Sequence, residues 1–201
     1  METKSLSELR EEYKSCTRCS ELLKSRIQVV FGEGNPNAEV LLIGEAPGLN
    51  EAKNGIPFCG ASGKVLQELL ASIGLTRDDV FITNTILCRP ENNRNPAKEE
   101  VENCRNRLDT LIQIMKPKVI VTIGNFATER ILGKKGITTL RGKVFPLLIN
   151  SQEMKVVPVI HPANLLYNGR NPELLQQMKQ DFQVIASVVQ EEKKQKSLGE
   201  F

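Results

Sequence analysis

The sequence predicts an α/β fold: a three-layer α/β/α sandwich whose central sheet is mainly parallel and four-stranded. Three observations carry this. Four short apolar runs, Ala38 to Ile43, Val80 to Thr83, Val119 to Ile123 and Val156 to Ile160, have the length of buried strands. Segments of helical character separate them, and strands alternating with helices form a parallel sheet covered on both faces. The chain has 201 residues, 40% of them hydrophobic, enough for one domain over residues 1–201 with a substantial core.

In chain order, Ser5 to Lys24 reads as one polar helix carrying Cys16 and Cys19 near its end. The first strand runs into Gly44-Glu45-Ala46-Pro47-Gly48. Ser62 is the expected N-cap of a helix from Gly63 to Ile73. The second strand ends at Asn84 and leads into a polar loop from Cys88 to Pro96. Lys98 to Met115 repeats Val101, Leu108, Leu111, Ile112 and Met115 at helical spacing, with Cys104 on the same helix. After the third strand, Gly124 opens a helix to Leu132, and Val144 to Ile149 is a candidate extra strand. The last strand ends at His161-Pro162-Ala163. Pro172 marks the start of a helix towards Val189, and the charged tail over 191–201 is expected to fray.

No apolar run reaches transmembrane length, and the first ten residues are polar and charged without a secretory core, so a cytoplasmic protein is expected. The formal charge of +3 suits DNA binding but does not argue for it alone. Five cysteines form an odd number, and in a reducing compartment metal binding, catalysis or burial explain them better than disulfides. The single histidine, His161, excludes zinc sites built from two or three histidines.

Three polar segments, Gly44 to Glu51, Asn84 to Arg94 and His161 to Ala163, fall at strand carboxyl ends, where open parallel sheets bind ligands. In the first, glycines allow close backbone approach and Glu45 is placed at the strand end. The glycines of a dinucleotide fingerprint are missing, and Gly60 to Lys64 fails as a phosphate loop because Phe58 stands at the first glycine position. The Asn84 carboxamide offers the donor and acceptor that reading a base edge requires. Cys16 and Cys19 form a C-x-x-C pair, and with Cys88 and Cys104 they fit either a structural zinc or a [4Fe–4S] cluster. Cys59 is left over as a packed thiol.

Together these residues resemble the family 4 uracil-DNA glycosylases, the thermostable iron–sulfur type. The resemblance spans Leu9 to Asp181 and rests on four motifs in order: Gly44 to Glu51, Gly55 to Gly63, Thr83 to Pro90 with Asn93 to Pro96, and His161 to Leu166. Ala52, Cys59 and Tyr167 depart from the family's usual acidic residue, valine and arginine. The resemblance implies that Cys16, Cys19, Cys88 and Cys104 hold a structural [4Fe–4S] cluster. It also implies excision of uracil flipped out of single- or double-stranded DNA.

On that reading Phe58 stacks on uracil, Asn84 bonds its O4 and N3 edge, and Glu45 walls off the C5 side. Gly44 and Ala46 line the pocket through the first loop. His161 donates to O2 as charge develops there. Glu51 and Asn93 position the attacking water, since Ala46 stands where other branches carry an aspartate or asparagine. Leu165 or Leu166 is the expected wedge into the vacated stack. Lys64, Arg89, Arg94 and Arg170 are candidate phosphate contacts. A monomer is expected, with no membrane association; no segment for a replication or repair partner is visible. The rival readings are an iron–sulfur redox protein, a non-cleaving module for damaged DNA, and a relative acting on another deaminated base such as hypoxanthine.

Overall fold

The computed structural model describes residues 4–149 and 152–198, with side chains described as far as residue 192. The elements in chain order are α1 (Leu6–Lys14), α2 (Ser20–Ser25), β1 (Glu33–Gly34), β2 (Val40–Gly44), α3 (Leu49–Asn54), α4 (Ala61–Ala71), β3 (Val80–Asn84), α5 (Lys98–Asn103), α6 (Arg105–Met115), β4 (Val119–Ile123), α7 (Gly124–Leu132), α8 (Ile137–Leu140), β5 (Phe145–Ile149), β6 (Gln152–Val159), α9 (Ala163–Tyr167) and α10 (Pro172–Leu198).

The sheet has six strands in the order β1-β3-β2-β4-β6-β5, which corrects the expected four. The four anticipated strands are its parallel centre, β3-β2-β4-β6, and the two additions are antiparallel edges. The β1 edge is only two residues long, and Gly34 sits at φ +121 where a Cβ would stand 2.1 Å from the Val80 carbonyl oxygen. So short and glycine-dependent a pairing leaves no hydrophobic period. The β5 edge alternates half-buried and exposed positions, as the candidate run Val144 to Ile149 suggested.

Side chains alternate across the parallel strands. Val40, Leu42, Val80, Ile82, Val119 and Val121 pack on one face against α4 and α10, through Leu66, Leu69, Met178 and Phe182. Leu41, Ile43, Phe81, Ile120 and Val156 pack on the other against α1, α2 and α6, through Leu9, Leu22, Leu108 and Ile112. This is the predicted three-layer arrangement. Truncating a fully buried leucine such as Leu42 or Leu66 to alanine is expected to cost about 2–5 kcal/mol.

Several boundaries differ from expectation. The predicted helix over residues 5–24 is two helices, with Cys16 in the connection and Cys19 as the cap residue of α2. The Lys98–Met115 helix also breaks, at Cys104, which ends α5 and begins α6. Both breaks re-aim the chain at cysteines, whereas the hydrophobic spacing continues across them. Helix α4 starts at Ala61 with Gly60 as its cap residue, so Ser62 lies inside the helix. Glu51 Oε1 accepts the Gly60 N–H at 3.0 Å, satisfying a donor beside the helix start. Helix α10 starts at Pro172 as expected, capped by Asn171 Oδ1 accepting from the Glu173 and Leu174 N–H groups at 2.8 and 3.1 Å. It continues to Leu198, nine residues past the expected Val189, so the tail is helical from Glu191 that far; residues 199–201 lie outside the described residues.

The parallel strands end level. Gly44 pairs with Asn84 and Ile123 with Val159, so the segments leaving β2, β3 and β6 emerge at one edge.

Candidate functional site

Those segments enclose a cleft of about 460 Å³. Glu45, Ala46, Glu51, Phe58, Asn84, Asn93 and His161 all line it. Of the residues expected to handle the base and the attacking water, Gly44 is the exception. A Cβ there would stand 2.4 Å from Asn84 Oδ1 and 2.7 Å from the Phe58 ring. The absence of a side chain at Gly44 therefore leaves room for those two side chains.

Asn84 is only 2% exposed, and no hydrogen bond from another described residue engages its carboxamide. A buried amide facing a cleft with both donor and acceptor unmet has bonding capacity to offer a ligand there. Phe58 sits beside it at φ +51, a strained conformation for an aromatic residue. Two features hold it there. Arg77 donates to the Pro57 carbonyl at 2.7 Å and to the Phe58 carbonyl at 3.2 Å. Gly63 leaves room for the Phe58 carbonyl, which a Cβ would approach to 1.7 Å.

The His161 ring stacks on Phe58 with centroids 5.6 Å apart. Its Nδ1 accepts the Ala163 N–H at 3.1 Å. Burial pushes its pKa down to about 4, against a smaller upward pull from Glu51. The imidazole is therefore neutral at physiological pH, and with Nδ1 accepting, its proton is on Nε2. Gly124, at φ +85 where β4 ends, lies against the His161 Cβ.

Glu51 lies in the first turn of α3, one oxygen bonded to Gly60 and the other close to the Gly48 backbone. Burial alone raises the Glu45 carboxyl above the usual carboxylate range. Asn92 and Asn93 both take left-handed conformations, at φ +52 and +53, which asparagine tolerates. Asn93 Oδ1 accepts from Arg89 Nε at 2.7 Å, leaving its amide N–H groups for the cleft.

Other expectations change. Leu165 is fully buried and Leu166 is packed against the core, so Leu165 is not a wedge. Tyr167, the next residue, is 87% exposed on the cleft rim. Three of the four candidate phosphate-binding cations are already engaged: Arg89 with Asn93, Arg94 with Glu100 at 2.6 and 2.9 Å, and Arg170 with Glu68 at 2.6 Å. Lys64 is exposed on α4.

Cys16, Cys19, Cys88 and Cys104 line a second, small pocket between the two helix breaks and the end of β3. Asn103 Nδ2 donates to Cys19 Sγ at 3.5 Å, and Arg26, which donates to the Cys16 carbonyl at 2.5 Å, favours the charged form of Cys88. Burial pushes the Cys88 thiol up to about 11 and raises Cys19 as well. No group of three or more His, Cys, Asp or Glu among the described residues has the arrangement of a single-ion site. Cys59 stands apart, accepting from Asn54 Nδ2 at 3.7 Å.

Arg77 and Arg107 were not anticipated. Arg107 is fully buried on α6, one turn before Leu111. A charge in the apolar phase of a helix was the available signal.

No helix among the described residues is long and apolar enough to cross a membrane. Residues 31–183 match the family model of the uracil DNA glycosylase superfamily. The chain is 45% identical to the type-4 uracil-DNA glycosylase of Sulfurisphaera tokodaii, over 90% of this chain and 83% of that one. It is 42% identical to the type-4 enzyme of Archaeoglobus fulgidus, over 92% and 93% of the two chains. With the type-4 enzyme of Thermotoga maritima it shares 41% identity over 90% and 93%. The chain thus belongs to the uracil-DNA glycosylase superfamily, in its type-4 branch.

Proposed function

We propose that this chain is a uracil-DNA glycosylase that takes an extruded uracil into the cleft and hydrolyses its N-glycosidic bond, leaving an abasic site. The observation that carries the reading is a single pocket holding a neutral Nε2–H donor, a stacked aromatic ring and an unpaired carboxamide.

Uracil stacks against Phe58. The Asn84 amide donates to O4 and its carbonyl accepts the N3 proton; cytosine reverses both demands. The half-buried Glu45 lies towards C5, where thymine carries a methyl group. As the bond to C1′ breaks, charge builds on O2, and the His161 Nε2–H donates to it. Such a donor acts most strongly in the transition state. The base leaves as an anion, water adds to C1′, and the proton that water releases neutralises the uracil anion. The Glu51 carboxylate, oriented by Gly60, holds that water and faces the cationic sugar. Asn93 serves the cleft through its amide N–H groups, since Arg89 engages its oxygen. Tyr167 takes the place expected of a leucine at the DNA surface.

Cys16, Cys19, Cys88 and Cys104 hold a [4Fe–4S] cluster in this reading. A zinc tetrathiolate draws its sulfurs to within about 4 Å of each other. A cubane is wider, and four cysteines sharing one pocket supply the all-thiolate donor set it takes. When bound, it supplies a structural tie, since hydrolysis moves no electrons. The Arg26 and Asn103 donors favour the thiolate form.

The test uses labelled oligonucleotides carrying one uracil or one thymine at the same position. Free uracil and an abasic site from the first, with nothing released from the second, is the expected result. Tight binding without release would favour a non-cleaving module.

A further inference from the structure

We infer that Arg107 is a positioning residue for Asn84, fixing the end of β3 so that the carboxamide enters the cleft in one orientation. This rests on the uracil reading above. Nothing within the described residues bonds the Asn84 side chain. Its direction therefore comes from its own backbone and from the wedge of space between Gly44 and Phe58.

Arg107 holds that backbone. One guanidinium nitrogen donates to Thr83 Oγ1 at 3.1 Å, and the other to the Asn84 and Thr85 carbonyls at 2.5 and 3.1 Å. Three consecutive residues are gripped by one rigid, planar group where the strand leaves the sheet. The grip extends outward. Thr83 Oγ1 donates to the Phe31 carbonyl at 2.7 Å, and Thr85 Oγ1 to the Gly44 carbonyl at 2.9 Å, so β2 and β3 are tied at the paired residues Gly44 and Asn84.

The arrangement is costly. Arg107 is fully buried, its three bonds all go to neutral oxygens, and its Nε has no partner. Apolar residues often replace buried charges without loss of stability. A guanidinium here gives the strand end a defined position that an apolar side chain does not.

A double-mutant cycle tests this. Arg107→Met should slow single-turnover uracil excision about tenfold in the wild-type background and less than about twofold in the Asn84→Ala background. Affinity for undamaged duplex should stay within about twofold in both. A merely structural residue would impose the same loss in each background, and that additive result, or no loss, overturns the inference. If Arg107→Met does not fold, Arg107→Lys enters the same cycle. It retains the cation but grips fewer of the three oxygens, and the same non-additive pattern is expected. A wild-type protein that releases no uracil defeats the functional reading and this inference together; an active wild type with an additive cycle defeats this inference alone.

Discussion

The backbone N–H of Ala163 donates to Nδ1 of His161 at 3.1 Å, and this bond assigns the imidazole proton to Nε2. With burial holding the pKa near 4, the ring is a neutral donor across the physiological range. Because His161 is the sole histidine, its resonances are free of overlap. They should not titrate between about pH 5.5 and 8, and should show the Nε2–H tautomer. The folded pKa lies below the unfolded value, so the linked stability is complete above about pH 6.5 and is lost as pH falls towards about 4. A midpoint near 6.5 in the folded protein would remove the neutral donor from the account.

Asn84→Ala should lower uracil excision about a hundredfold, the scale of two lost hydrogen bonds, with binding to undamaged DNA nearly intact. Asn84→Asp should move recognition towards cytosine, because a carboxylate accepts from an exocyclic amino group and repels O4. Excision rates on otherwise identical uracil and cytosine substrates provide the check. Equal uracil rates for Asn84→Ala and wild type would take this residue out of base reading.

Tyr167 is exposed at the rim of the cleft, the side from which the proposed function brings in the duplex. Tyr167→Ala should slow excision from a U·A duplex about tenfold, the scale of one aromatic–base stack, while excision from single strands changes little. An equal effect on both substrates would assign Tyr167 no part in opening the duplex.

Protein purified without oxygen should be brown and carry about four irons per chain. Cys104→Ala should lose colour, iron and much of the thermal stability, and Cys59→Ala should keep all three. Stoichiometric zinc in colourless protein would replace the cluster with a single ion.

The parallel strands and their level carboxyl ends were legible because continuous apolar runs identify buried strands, and the polar residues that follow them converge by topology. The helix breaks at Cys16 to Cys19 and at Cys104 were not, since apolar spacing persists through both. The two-residue β1 left no period to detect. Within the site, residue types could be read but bonding could not. Sequence could not tell that Arg89 engages the Asn93 oxygen, that Leu165 is buried while Tyr167 is exposed, or that Arg77 holds Phe58 at positive φ. The burial of Leu165 and the grip of Arg77 on Phe58 depend on contacts between distant segments, and the Arg89–Asn93 bond on the local loop conformation.

The central claim is that the cleft stabilises the departing uracil through His161, and the most direct measurement compares wild type with His161→Ala. Both should be folded and equally loaded with iron. The account predicts a single-turnover rate on DNA containing one uracil lower by about a hundredfold or more, the usual scale for losing one such donor. Affinity for an uncleavable uracil analogue should fall far less, because the ground-state carbonyl carries little of the charge. An alanine variant that cleaves at nearly the wild-type rate would contradict the claim and transfer leaving-group stabilisation to the backbone of the Gly44 to Gly48 loop.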